Sequence, residues 1–456
     1  MTPRQSGFGT RTAAATPFGD GTPATVTLAQ IGGLAARLPV LRLARQALFL
    51  AILLLALITL RPFVDLSRLD IGDLVTGQET MTYAIFGAFA LAALLLAMRE
   101  HAQALASLVT PTHLALAGWL ALSVILSQDH GTSAKRLALT AAVMMMTACL
   151  PLLAQTRTEL RNLLAITALA LLALCYVGMI VVPDLAIHQA RDLQEPGLAG
   201  NWRGSFGHKN AAAAVMAMLL FIGVAVVRAG GRVSGLAILG LACVFLVGSE
   251  GKSAFALSIV VFALTGAFAV VRSFGGRVLI AIGPVLLLNV FTVGTVMSDG
   301  LASVVAALPV DSTFTGRTDI WRFAIETIAA RPITGYGFAA FWGTQTIRDV
   351  SDEGATWAGY ASHSHNGYID ITLTLGAVGL VLLLIVFVIG PLRNYQKLQC
   401  KTGNTGPFAT MFLQIWLFGI LLSSMESFFF ERSDAIWIMF LFAVFGLHYL
   451  ARFRIR

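Results

Sequence analysis

Charge is what this sequence has least of. Only 12% of its 456 residues are Asp, Glu, Lys or Arg, whereas 57% are hydrophobic; an average soluble domain carries about 25% charged residues. A soluble domain would also lack the repeated apolar runs found here, each near the ~20 residues needed to cross ~30 Å of hydrocarbon. The runs are continuous, without the apolar–polar alternation of a transmembrane β-barrel. Cysteine is scarce too. Cys149, Cys175 and Cys243 lie in apolar runs and Cys400 in a basic stretch. They have neither metal-ligand spacing nor a partner in a polar outer loop, so no disulfide and no metal site are expected. No short apolar region with a cleavage site follows Met1, and the first apolar run, near 47–60, reads as a retained anchor.

What is there is a polytopic, all-α transmembrane bundle of about twelve spans. The expected organisation is a mobile cytoplasmic N-terminal tail (1–45), nine helices (46–297), one long outer loop containing a short amphipathic helix (298–367), and three more helices with a short tail (368–456). The tail is rich in Thr, Ala, Gly and Pro, a composition that does not bury a core. Short loops set the orientation. Arg42, Arg45, Arg99, Arg157, Arg161, Arg228, Arg232, Arg272, Arg277, Arg393 and Lys397 fall on one side, which the positive-inside rule assigns to the cytoplasm together with both termini. Of the 23 acidic residues, only Asp20, Glu100 and Glu159 share that side. The net charge of +8 therefore points to anionic lipid rather than to nucleic acid as the partner of the basic face.

The polar outer segments are where chemistry is expected, because polar groups beside hydrocarbon are costly. In the long loop, Trp321, Ala324, Ile325 and Ile328 recur at helical spacing, which predicts a helix over 318–330 ended by Pro332. Arg317 then stands at the helix start, where free N–H groups also favour an anion, and its planar fork suits phosphate. The alternative is an arginine snorkelling to the lipid headgroups. The aromatics of 335–342 read as an interfacial belt or as a platform for sugar rings. His363 and His365 precede the tenth span; a histidine there can serve as a general base, or have only a structural part. Arg203, His208 and Lys209 sit among glycines before the sixth span in a segment resembling an anion-binding loop, although the GxxxxGK[ST] spacing of a P-loop is absent. Lys252 adds a cation at another outer helix end. Glu426 can neutralise one of these cations, or form a purely structural ion pair.

The order Gly207-His208-Lys209-Asn210, Gly316-Arg317-Thr318-x-x-Trp321, Pro332-x-x-Gly335-x-Gly337 and His365-Asn366-x₉-Gly376 resembles the O-antigen ligase and polysaccharide polymerase superfamily, the exopolysaccharide polymerase branch most closely. The resemblance covers roughly 200–430. It implies a glycosyltransferase-C-like helical fold and metal-independent, cofactor-free, inverting transfer of a glycan from a polyprenyl diphosphate carrier at the periplasmic face of a bacterial inner membrane. It implies His365 as the catalytic base and Arg317 as the diphosphate contact. Lys252 stands where ligases often carry a second arginine, with Arg203 or Lys209 sharing that contact and His363, Asn366 and Glu426 completing the substrate site. The implied partners are a lipid-linked oligosaccharide, membrane lipid, and other assembly and chain-length proteins. A ligase acting on lipid A–core is the alternative, and a membrane transporter is the second. Against transport, the halves show no repeat and almost no ionisable residue lies within a span.

Overall fold

The computed structural model describes residues 39–58, 61–67, 80–193, 195–308, 314, 316–344, 346–347, 361–402 and 406–453. Among these the regular structure is helical, with one isolated bridge between Ile187 and Trp202. The apolar helices are α1 (Pro39–Ile58), α2 (Thr80–Ala106), α3 (Pro111–Ile125), α4 (His130–Leu153), α5 (Arg157–Val181), α6 (Lys209–Arg228), α7 (Arg232–Gly248), α8 (Lys252–Val270) and α9 (Phe274–Phe291). After the loop helix α10 (Arg317–Ala330) come α11 (Gly367–Leu383, continued through a π turn into Gly390–Thr402), α12 (Pro407–Leu422) and α13 (Ala435–Arg452). Nine described helices are long and apolar enough to span a membrane, and α3, α7 and α12 are shorter apolar helices of 10–17 residues. This is a polytopic membrane protein. The first helix starts at Pro39, so the last residues of the expected 1–45 tail are helical; the loop acids Asp349, Asp352 and Glu353 lie outside the described residues.

Polar caps start the helices where the chain enters them. Thr110, Asp129, Thr156 and Ser273 each accept a backbone N–H of the first turn of α3, α4, α5 and α9, as N-cap side chains do. Side-chain character then sorts helices by depth. α12 and α13 are apolar on every face and almost wholly buried, whereas α9 presents most of its surface outward. A helix apolar all round belongs either inside a bundle or against lipid. α12 packs on α13, α6, α8 and α9, and forms the centre. Gly419 lies against Phe440 and Gly446 against Phe412, the close approach that small residues permit between membrane helices.

α10 is the expected amphipathic helix. It buries Ile320, Trp321, Ala324 and Thr327 and packs on the first turns of α11. The segment after it docks where α11 is broken at Gly376, whose φ is 67°. Tyr336 N donates to Leu373 O (3.0 Å), Gly337 N to Thr374 O (2.9 Å) and Ala377 N to Pro332 O (2.8 Å). A Cβ at Gly376 would run into the Ile333 backbone. Glycine is thus required there twice over, by conformation and by space. The aromatics Tyr336, Phe338, Phe341 and Trp342 are all buried, so they form no exposed interfacial belt. Tyr336 and Phe341 join a small core with Trp321, Ile369 and Leu373 beneath the loop.

Candidate active site

Helix direction separates two polar ends. α6 runs from Lys209 to Arg228, and α9 from basic Arg277 near its start to Asn289 near its finish. Asn289 donates through Nδ2 to Ser424 Oγ (2.9 Å) and accepts from Asn366 Nδ2 (2.8 Å). The starts of α6, α10 and α11 and the segment between α12 and α13 therefore meet at one end of the bundle. At the other end lie Arg45 with Glu100, and Arg452 with Asn394.

Glu426 is the hub of the first end. Its Oε1 accepts from Arg317 Nη2 (3.0 Å) and from Asn210 Nδ2 (3.2 Å), and its Oε2 faces His365 Nδ1 (3.2 Å). Arg317 also donates through Nη1 to Met425 O. Burial pushes the Glu426 carboxyl up. The hydrogen bond from His365 and the charges of Arg317 and His365 outweigh it and hold the group at about 2. An ionised carboxylate can only accept, so His365 donates from Nδ1, and in the neutral ring the lone pair is then on Nε2. Carboxylate-oriented histidines are fixed in this way elsewhere.

His365 is held there by its backbone. Its φ is 54°, a left-handed conformation uncommon for a side-chain-bearing residue. The neighbours enforce it. Trp321 Nε1 donates to Ser364 O (2.9 Å), and Asn366 Oδ1 caps α11 by accepting from Tyr368 N and Ile369 N (both 3.1 Å). Asn366 is fully buried and also donates to Ser424 O (3.2 Å), so it is a structural post rather than an exposed ligand. His363 packs its ring 4.1 Å from that of His365 and accepts His365 N at Nδ1 (3.2 Å). Burial, then the nearby charge of His365, lowers the His363 pKa.

Cations line the adjoining rim. Lys209 opens α6 and Lys252 opens α8, and Glu250, Glu195 and Lys252 lie within electrostatic range of Lys209. His208 caps α6 by accepting Asn210 N at Nδ1 (3.1 Å) and contacts Glu195 through Nε2. That hydrogen bond lowers the Glu195 pKa against the opposing effect of burial, with help from the charges of His208, His188 and His365. Arg203 requires a correction. It is completely buried and donates to Phe206 O (3.2 Å) and Val64 O (2.7 Å), so its guanidinium holds the loop together and is not presented to an anion. The sequence reading passed over Asn210 and Asn289 as site residues. A lone Asn in the apolar run Leu288-Asn289-Val290 was the available signal for the second, since an unpaired amide within a span is costly.

Buried helices around an end cluster of histidine, carboxylate and cations define a class: a multi-pass membrane protein with a polar cluster at one end of its bundle. Residues 207–384, from the α6 cap past Gly376, match the family model described as O-antigen ligase. The chain is 32% identical over 108 residues to "Exopolysaccharide production protein ExoQ" of Rhizobium meliloti, covering 22% of this chain and 23% of that protein. It is 27% identical over 127 residues to "Putative polysaccharide ligase" of Rickettsia felis, covering 27% of this chain and 30% of that protein. The matches thus span less than a third of either relative.

Proposed function

We propose that this chain is a polymerase of cell-surface or exopolysaccharide. It transfers a glycan from a polyprenyl diphosphate carrier to a lipid-linked oligosaccharide at the periplasmic face of the bacterial inner membrane. The observation that carries this reading is the single carboxylate Glu426, which bridges Arg317 and His365 across segments distant in sequence. The acceptor hydroxyl gives its proton to His365 Nε2 as its oxygen bonds to the anomeric carbon. The bond from that carbon to the diphosphate oxygen breaks, and the electron pair leaves with the diphosphate. Arg317 keeps one N–H on Glu426 and turns its remaining donors to the leaving group, with Lys209 and Lys252 at the rim adding charge. Attack opposite the leaving group inverts the anomeric configuration. His363 supports His365, and other assembly and chain-length proteins act beside this enzyme.

The O-antigen ligase description of the matching family model favours a second reading, in which the acceptor is lipid A–core. The chemistry is the same and the product differs. Purified protein given a synthetic polyprenyl-diphosphate oligosaccharide as both donor and acceptor should build a ladder of products. Transfer seen only after lipid A–core is added would establish the ligase. No transfer to either acceptor, with intact donor recovered, would remove glycan transfer altogether.

A further inference from the structure

His363 also lines a cavity of about 590 Å³, a volume in the range of small-molecule sites. Its aromatic wall is Phe338, Trp342, Phe429 and Phe430, and its polar wall includes Arg136, Asp370 and residues 431–434. Most of the polar wall is already committed. Arg136 donates to Ala339 O and to Trp342 O. Asp370 accepts from Trp342 Nε1 (2.8 Å) and Ser364 N (3.1 Å), and Asp434 accepts from Trp437 N (2.8 Å). These bonds fix the shape of the cavity. Arg432 and Glu431 differ: among the described residues neither side chain has a hydrogen bond or ion pair, and the buried Nε of Arg432 has no partner. A buried donor without a partner is costly, and here it lines a preformed space.

Resting on the polymerase reading, we propose that this cavity receives the terminal sugar of the acceptor glycan. Arg432 and Glu431 select its hydroxyls or an acidic substituent, and the aromatic wall takes the apolar face of the ring. The placement separates the substrates. The diphosphate lies toward Arg317, Lys209 and Lys252, while the nucleophilic hydroxyl enters past His363, whose ring lies against that of the base. A sugar ring is itself two-faced, with C–H groups above and below and hydroxyls around the edge, which matches one apolar and one polar wall. The carrier lipid offers no such pattern.

The test is equilibrium binding to the purified full-length protein with two probes. One is the lipid-free oligosaccharide released by mild acid from the producing cells' own lipid-linked repeat units. The other is undecaprenyl diphosphate without a glycan. Arg432→Gln should weaken oligosaccharide binding by about tenfold or more, raise the acceptor KM correspondingly, and leave undecaprenyl diphosphate binding unchanged. Arg317→Lys should do the reverse. Glu431→Gln, at an exposed and unpaired position, supplies a second variant where Arg432→Gln lowers the yield of folded protein. Unchanged oligosaccharide affinity in both cavity variants would overturn the proposal, as would loss of undecaprenyl diphosphate binding in their place. Wild-type protein that binds undecaprenyl diphosphate but not the oligosaccharide defeats this inference alone; wild-type protein that binds neither defeats the polymerase reading as well.

Discussion

Glu426 accepts from Asn210, Arg317 and His365, residues 216, 109 and 61 positions away. Removing its charge without changing its shape should therefore hurt catalysis more than folding. Glu426→Gln frees the His365 tautomer, and kcat should fall by about a hundredfold or more, read as the initial rate of carrier diphosphate release with protein yield unchanged. A wild-type rate would show that His365 needs no orienting partner. The same carboxylate predicts an acid limb of stability. Its folded pKa, about 2, lies below its ordinary 4.5. Its contribution is thus fully present above about pH 5 and is lost as pH falls toward 2, on the order of 3 kcal/mol over that window. Thermal melting in detergent should show that loss, and Glu426→Gln should flatten it. At this scale the sequence was uneven. A histidine and an arginine in one outer loop are visible as chemistry. Arg203 in its glycine-rich loop reads alike whether its fork faces phosphate or backbone carbonyls, and only the fold shows the carbonyls.

The helices were legible because hydrocarbon demands long apolar runs, and their starts because caps are local. Breaks were not. Gly376 lies within an apolar run, and nothing local shows that the 332–337 segment will pack against it. Gly376→Ala should force a left-handed alanine against the Ile333 backbone and cost about 3 kcal/mol or more, seen as a lowered Tm and a loss of folded protein; a Tm equal to wild type would mean that the 332–337 segment does not dock there. The cap of α13 gives an opposite, pH-dependent expectation. Burial raises the Asp434 pKa to about 7, against the hydrogen bond from Trp437 N and with the Glu431 charge adding to the rise. A raised carboxyl costs nothing while protonated in both states, and its cost grows as pH rises from about 4 to 7 and then stays constant. Asp434→Asn keeps the capping acceptor. Tm should rise at pH 8 and stay the same at pH 4; equal shifts at both values would locate the effect elsewhere.

At the scale of the whole molecule, the two ends of the bundle carry different charged groups. Arg45, Arg228, Arg277 and Arg452 gather at one end, and the Glu426 cluster lies at the other. In the proposed orientation the basic end faces the cytoplasm, as the positive-inside rule favours. Arg191 and Cys400 are both exposed and belong to opposite ends. A cysteine replacing Arg191 should react with a membrane-impermeant thiol reagent in outer-permeabilised cells, while native Cys400 should react only after the inner membrane is lysed. The reverse pattern would invert the molecule and place the cluster where no periplasmic glycan could meet it.

The most direct test of the account is the initial rate of glycan transfer by purified His365→Ala protein, measured beside its binding of undecaprenyl diphosphate. The account predicts a rate lower by about 10²- to 10⁴-fold, the usual contribution of a general base, with carrier binding retained because Arg317, Lys209 and Lys252 are untouched. A wild-type rate of transfer from His365→Ala would contradict it.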